Sequence, residues 1–256
     1  MLPFLYFASK IQPNKSSLSM KYVKITLKSL LALILFLGLS VAGLYYSYDQ
    51  ELPRGTQGVE ADRLANKMLD AMNYQAYKEL NYIAWTFSSR GRGRSYKWYK
   101  NQGLCKVLWD SISVDLNIKA LKKSSVQVNG SVYTGEMKDD FIRTAEAKFN
   151  NDSFWLVAPY KLFDAGVERR LVKRDNGENA LLVTYKSGGS TPGDSYLWLL
   201  DKHYRPRAFQ MWVSILPIGG IEASWEQWEK TAQGAYFPRF HQLSVLDLEI
   251  TGLKVY

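Results

Sequence analysis

Hydrophobic and polar positions follow three successive patterns along the chain. The first is an uncharged run of twenty residues, Ser29 to Tyr48. As a helix rising about 1.5 Å per residue, it covers roughly 30 Å, the hydrocarbon thickness of a bilayer. In the second, Leu64, Ala65, Met68, Leu69 and Met72 recur at helical spacing while Asp62, Arg63, Lys67 and Asp70 take the complementary positions. That pattern predicts an amphipathic helix of about four turns. After Asn81 the period falls to two. Ile83, Trp85 and Phe87 alternate with Ala84, Thr86 and Ser88; Cys105, Val107 and Trp109 with Lys106 and Leu108; Val114, Leu116 and Ile118 with Asp115, Asn117 and Lys119. Such alternation predicts strands with one buried face.

Turn chemistry orders these strands into an antiparallel meander. Asn129-Gly130 is a two-residue hairpin signal between Val126-Gln127-Val128 and Ser131-Val132-Tyr133, and Arg90-Gly91-Arg92-Gly93-Arg94 reads as a second connection. Asp139 to Phe149 is helix-like, and Phe154-Trp155-Leu156-Val157 runs into Pro159, where a helix is expected to stop. Strands are expected again at 168–172, 180–185, 196–200, 208–213, 222–228, 236–237 and 243–250, which suggests one long curved antiparallel sheet or an open barrel. Tyr196-Leu197-Trp198-Leu199-Leu200 is apolar at every position. Either both faces of that strand are covered, or one looks into an apolar cavity.

Charge fixes how the apolar run lies. Lys10, Lys15, Lys21, Lys24 and Lys28 precede it, whereas Asp49, Glu51 and Arg54 follow, which leaves the N-terminus cytoplasmic and sends residues from about 50 onward across the membrane. Two readings of the run stay open. Leu30 to Leu39 with Ser40-Val41-Ala42 has the form of a cleavable signal; Leu44, Tyr45, Tyr46 and Tyr48 continue the run as a retained anchor with interfacial tyrosines. Met20-Lys21 offers a second start, with Met1 to Ser19 an extension without periodic pattern. The expected organisation is a basic segment 1–28, an anchor or signal 29–48, a Pro/Gly linker 49–57 that lifts the domain from the membrane, and a single domain 58–256.

Setting those five lysines aside reduces the net charge from +9 to +4, with 28 basic against 24 acidic residues. The exported part therefore lacks the concentrated basic face a nucleic-acid partner requires. Cys105 is the one cysteine, so no internal disulfide can form, and its place beside Val107 and Trp109 makes it a small buried hydrophobe. All eight tryptophans lie after residue 80, in a stretch long enough for one core.

Candidate chemistry is sparse. Ser187-Gly188-Gly189-Ser190-Thr191-Pro192-Gly193-Asp194 is glycine-rich but lacks the lysine and following helix of a phosphate-binding loop, so it reads as a turn between strands. Asp194 and Asp201 are expected as turn caps. His203 and His241 have no metal-ligand spacing, no G-x-S-x-G elbow is present, and Asp139, Asp140 and Glu146 fit a solvated helix start. No catalytic residue, metal or cofactor is assigned. Arg90, Arg92 and Arg94, with Lys97 and Lys100, form either a lipid-headgroup contact or a solvated hairpin tip.

The succession of signal or anchor, amphipathic helix, meander, helical insertion with Phe154-Trp155-Leu156-Val157-Ala158-Pro159-Tyr160-Lys161, and second meander resembles the LolA/LolB-like superfamily of periplasmic lipoprotein carriers. The resemblance covers about residues 58 to 256. The segment Trp198 to Trp228, with Pro217-Ile218-Gly219-Gly220, looks more like uncharacterised exported proteins of that fold than like the carriers. It implies an α+β, mostly β fold in which an open antiparallel half-barrel wraps over a few helices around an apolar cavity. It also implies a single-pass protein of a bacterial inner membrane with its domain in the periplasm, or a periplasmic protein after signal cleavage.

The function expected on these grounds is binding of a hydrophobic or acylated ligand without chemical conversion. Trp85, Phe87, Trp155, Trp198, Phe209, Met211 and Trp212 are the expected apolar lining. The alternatives are a structural or interaction protein of the envelope with a solid core and its own protein partner, and an exported hydrolase using His203 or His241.

Overall fold

The computed structural model describes residues 15–187, 191–244 and 246–256, the side chains of 15–21, 41, 42 and 44 excepted. Lys10 and residues 1–14 of the expected extension, the side chains of Met20, Lys21, Val41, Ala42 and Leu44, and the Gly188-Gly189-Ser190 centre of the glycine loop lie outside the described residues. The chain forms two compact units, Met1–Asp49 and Gln50–Tyr256.

The first unit is a helix, α1 (Lys15–Tyr48). Its segment Tyr22–Tyr48 has 27 residues with a mean hydropathy of 2.2, and Leu30, Phe36 and Leu39 are exposed along it. That is long and apolar enough for a membrane anchor or a signal sequence.

The second unit is mostly β. Its helices are α2 (Val59–Ala71), α3 (Tyr74–Glu79) and α4 (Lys138–Val157). Helix α2 buries Leu64, Ala65, Met68 and Leu69, the stripe that the 3.6-residue period predicts. The short α3 has no such stripe. It starts at Asn73, a left-handed residue whose side chain accepts the Ala76 N–H. No glycine or proline interrupts residues 138 to 157, so the expected helix and the aromatic run behind it form one continuous α4. A single 3₁₀ turn at Ala158–Tyr160, carrying Pro159, closes it.

The described residues form fifteen strands, in chain order β1 (Tyr82–Ser89), β2 (Arg92–Tyr99), β3 (Leu104–Trp109), β4 (Ile112–Asn117), β5 (Ser125–Val128), β6 (Ser131–Val132), β7 (Val167–Lys173), β8 (Asn179–Tyr185), β9 (Ser195–Leu200), β10 (Pro206–Trp212), β11 (Ile221–Ser224), β12 (Glu229–Lys230), β13 (Tyr236–Phe237), β14 (Phe240–Leu243) and β15 (Leu246–Val255), with α4 between β6 and β7. They pair antiparallel into an eight-stranded sheet, β14-β15-β1-β2-β3-β4-β5-β6, a five-stranded sheet, β11-β10-β9-β8-β7, and the ribbon β12-β13. The sheets stay open and do not close into a barrel. A bridge between Glu226 and Phe240 links the two large sheets beside β11 and β14.

Arg90-Gly91 and Asn129-Gly130 make the two-residue turns, with both residues of each at positive φ. The first connection is therefore shorter than the arginine-glycine run suggests, and Arg92 and Arg94 stand inside β2. Helix α4 packs on β3, β4 and β5, and α2 on β7 and β8. Between helices and sheets lies one continuous core, to which Trp85, Tyr96, Phe149, Leu156, Trp198, Phe209 and Trp225 belong.

A second apolar cluster occupies the outer face of the five-stranded sheet: Val172, Ala180, Leu182, Leu197, Leu199 and Ala208, with Trp212 against them. The segment that the sequence marks as a linker crosses this face. At one end the Trp212 indole N–H donates to the Gln50 carbonyl at 2.6 Å; at the other Thr56 pairs with Leu171 of β7 at 2.8 and 2.9 Å. A Cβ added to Gly55 would touch Val172 and Arg170 on the outer face. From β10 to beyond β7 is four strand spacings, about 19 Å, which six extended residues just span. The strand Tyr196–Leu200 is apolar on both sides because both sides are covered.

Candidate functional site

The inner face of the five-stranded sheet is set by strand parity. Leu181 and Val183 of β8, Tyr196 and Trp198 of β9, and Phe209 and Met211 of β10 share that face and join the core cluster. Helix α4 meets them with Phe154 and Trp155. The rings interlock around Trp225, just after β11. Trp198 stands edge-on to Trp225 at 4.9 Å and to Phe209 at 5.2 Å, while Trp155 lies 5.4 Å from Phe209 and 6.2 Å from Trp225. Trp155 stacks offset on Trp225 while the other three pairs are tilted or edge-to-face, arrangements in which ring quadrupoles attract.

Of the seven residues expected to line an apolar cavity, Trp155, Trp198, Phe209 and Met211 converge here. Trp85 and Phe87 are also buried in the core, but on β1 of the other sheet, where Trp85 stacks on Tyr96 at 4.6 Å and Phe87 lies under the Arg94 guanidinium. Trp212 is separate from all of them. It follows Met211 in a strand, so the period of two turns it to the outer face, where it holds Gln50.

Two residues outside the seven expected lining positions complete the group. Trp225 is 1% exposed and touches Trp155, Trp198, Phe209, Trp228 and His241. His241, from β14, is wholly buried with its ring 4.4 Å from Trp225 and 5.1 Å from Trp155. Its Nδ1 lies 2.9 Å from the Ser224 carbonyl oxygen, and burial depresses its pKa to about 4, so the ring is neutral. No local pattern signals this: the stretch Phe237-Pro238-Arg239-Phe240-His241 does not alternate, and Phe237 and His241 stand in different sheets. The Ser224 hydroxyl is engaged elsewhere, accepting the Gln242 N–H. His203 is exposed on the turn after β9. Asp201 accepts the His203 and Arg205 N–H groups, and Asp194 accepts from Thr191 Oγ and the Ser214 N–H, so both cap turns.

Several buried donors of this interior have no hydrogen-bond partner among the described residues: the indole N–H groups of Trp85, Trp98, Trp198 and Trp225, and the Tyr185 hydroxyl. Clefts of about 450 Å³ and 490 Å³ lie elsewhere, at the surface. The first is edged by Gln57, Asp62, Glu168, Arg169 and Lys186, the second by Gln227, Glu229, Arg239 and Glu249. Neither includes one of the seven expected lining residues.

The three arginines of the first hairpin also part company. Arg90 and Arg92 are exposed at the tip. Arg94 turns inward and grips the buried Asp152 of α4 with Nε at 2.5 Å and Nη2 at 3.0 Å, because β2 positions 94, 96 and 98 share the inner face. Lys97 is exposed, whereas Lys100 donates to the Tyr77 and Lys78 carbonyls. Burial lowers its pKa to about 8.

No family profile matches the chain, and no curated protein matches it. Among solved structures, a DUF1329 family protein from Desulfovibrio piger aligns over 76% of this chain and 92% of its own, with 9% sequence identity and a TM-score of 0.38. At that identity and score the likeness says nothing of activity, ligand or partner.

Proposed function

We propose that the chain is a membrane-tethered, non-catalytic envelope domain of LolA/LolB-like architecture, facing the periplasm, whose half-barrel is closed by its own aromatic side chains. It serves as a structural and interaction module and not as a container. The observation that supports this reading is the interlock of Trp155, Trp198 and Phe209 around Trp225, which fills the inner face of the five-stranded sheet. A protein interior packed at crystal-like density leaves no room for a ligand of several hundred Å³.

A second reading, transient binding of an acylated ligand, has one observation in its favour. The unpartnered Trp198 and Trp225 indoles and the Tyr185 hydroxyl are donors with nothing to meet, and an ester or amide of an incoming lipid would satisfy them once α4 withdrew.

The full chain reconstituted in lipid nanodiscs separates the two. Titration with a brominated fatty acid leaves tryptophan fluorescence unchanged if the core is solid; saturable quenching would establish the acyl-binding reading in its place. Retention of the tether is read from the mass of the mature chain, and its orientation from protease protection of the domain in sealed cells.

A further inference from the structure

We infer that the loop Val213–Gly220 seats in the lipid headgroup layer and holds the domain against the bilayer. This rests on the reading of α1 as a retained anchor.

The loop, Val213-Ser214-Ile215-Leu216-Pro217-Ile218-Gly219-Gly220, carries no charged residue. Its tip residue Ile215 is 73% exposed, and Leu216 and Ile218 are only half-buried. Tips of water-facing loops favour glycine, proline, asparagine, aspartate and serine, which hydrogen-bond locally or tolerate tight turns. An isoleucine at the apex fits neither purpose.

The loop is also braced. The Ser214 N–H donates to the buried Asp194 carboxylate at 2.9 Å, the Leu216 N–H to Val213 at 3.1 Å and the Gly220 N–H to Met211 at 2.9 Å. Ile215 is thus presented on a fixed support, so little ordering is required when its side chain enters an apolar phase.

Chain connectivity supplies the direction. The Gln50 N–H donates to the Gly219 carbonyl at 3.2 Å, and its carbonyl accepts from Trp212. Tyr48 is the last residue of α1, and Tyr45, Tyr46 and Tyr48 are the aromatics expected at a membrane interface. Two residues of chain reach no further than about 7.6 Å. If α1 crosses the membrane, Gly219 cannot lie far from the headgroups, and the uncharged loop is the surface that meets them. Leu52, exposed on the crossing segment, extends the same apolar character.

The test uses the full chain in phosphatidylethanolamine/phosphatidylglycerol vesicles, in a Cys105→Ala background, with an environment-sensitive fluorophore on Ile215→Cys. Leu35→Cys marks the hydrocarbon core, and Asp175→Cys marks water at the far end of the five-stranded sheet. The expected result is a blue shift at position 215, with quenching by headgroup nitroxide lipid and reduced quenching by aqueous iodide. Iodide access at 215 equal to that at 175, with 35 protected, overturns the inference and leaves the anchor standing. Iodide access at 35 overturns both. Protection from iodide at 215 without nitroxide quenching means that protein covers the loop, and also overturns it.

Discussion

Tyr77 and Tyr160 lie face to face, ring centroids 4.0 Å apart and planes within 3°. The Tyr160 hydroxyl sits 2.9 Å from the Met72 carbonyl oxygen and 2.5 Å from that of Tyr236, and accepts the Tyr236 N–H at 3.1 Å. One side chain thereby joins the end of α2, the ribbon strand β13 and the turn that closes α4. Tyr160→Phe keeps the stack and removes the hydroxyl, leaving the Met72 carbonyl and the Tyr236 N–H with only their long mutual bond of 3.3 Å. We expect a loss of about 1–3 kcal/mol, read as a lower urea midpoint at unchanged slope.

Asp152 is 1% exposed and is held by Arg94, by the Tyr96 hydroxyl at 2.5 Å and by the Asn151 amide. Removing one member of a buried ion pair leaves the other charge uncompensated, so Asp152→Ala is expected to cost about 3–5 kcal/mol. Pairing Asp152→Asn with Arg94→Met removes both charges at similar volume and keeps an acceptor for the Tyr96 hydroxyl, and the double variant is expected to melt well above Asp152→Ala. Thermal unfolding of the variants checks the ordering.

His241 makes stability depend on pH. Its folded pKa, about 4, lies below the ordinary value of 6.5 because burial penalises the imidazolium. Above pH 6.5 both folded and unfolded states carry the neutral ring and the contribution is at its maximum. Between 6.5 and 4 the unfolded chain binds a proton that the folded one refuses, so stability falls as pH falls, by about 3 kcal/mol in total, and levels off below 4. His241→Asn keeps a donor for the Ser224 carbonyl and does not titrate. The difference between wild-type and variant unfolding free energies is expected to shrink across that window.

The periodicity of two located the inward faces of β1, β3 and β4, where apolar and polar residues alternate; β8 and β9 are apolar on both sides and carry no such signal. Strand β2 escaped it. Its inward positions are Arg94, Tyr96 and Trp98, and an inward arginine makes sense only beside Asp152, 58 residues away. The expected strand at 243–250 is two strands, β14 and β15, with Ser244 at positive φ between them. That β15 then pairs with β1, closing the domain from end to end, is long-range information no local pattern holds. The interior shows the same limit. Its aromatic content was legible, but whether those rings line a cavity or fill it depends on how closely α4 approaches the sheet.

The crossing segment 50–57 yields the last prediction, because composition alone marks it as a free linker and its contacts make it part of the sheet. Gly219 lies against its Gln50 end, accepting the Gln50 N–H. A Cβ there would run into the Trp212 indole and approach the Gln50 carbonyl oxygen to 2.8 Å. Both belong to the hydrogen bond that fixes the segment, so Gly219→Ala must displace one of them. Losing that bond costs about 1 kcal/mol, and the opening is local, since Thr56 remains paired to Leu171 and the inner core is untouched. Arg54, exposed in the middle of the segment, offers a tryptic site. Cleavage after Arg54 in Gly219→Ala is expected to be about 5- to 10-fold faster than in the wild type, because cleavage follows the population of the opened segment. The global urea midpoint is expected to move little. An unchanged cleavage rate would show that the segment is held by its apolar contacts with Val172 and its neighbours, and that the Trp212–Gln50 bond is incidental.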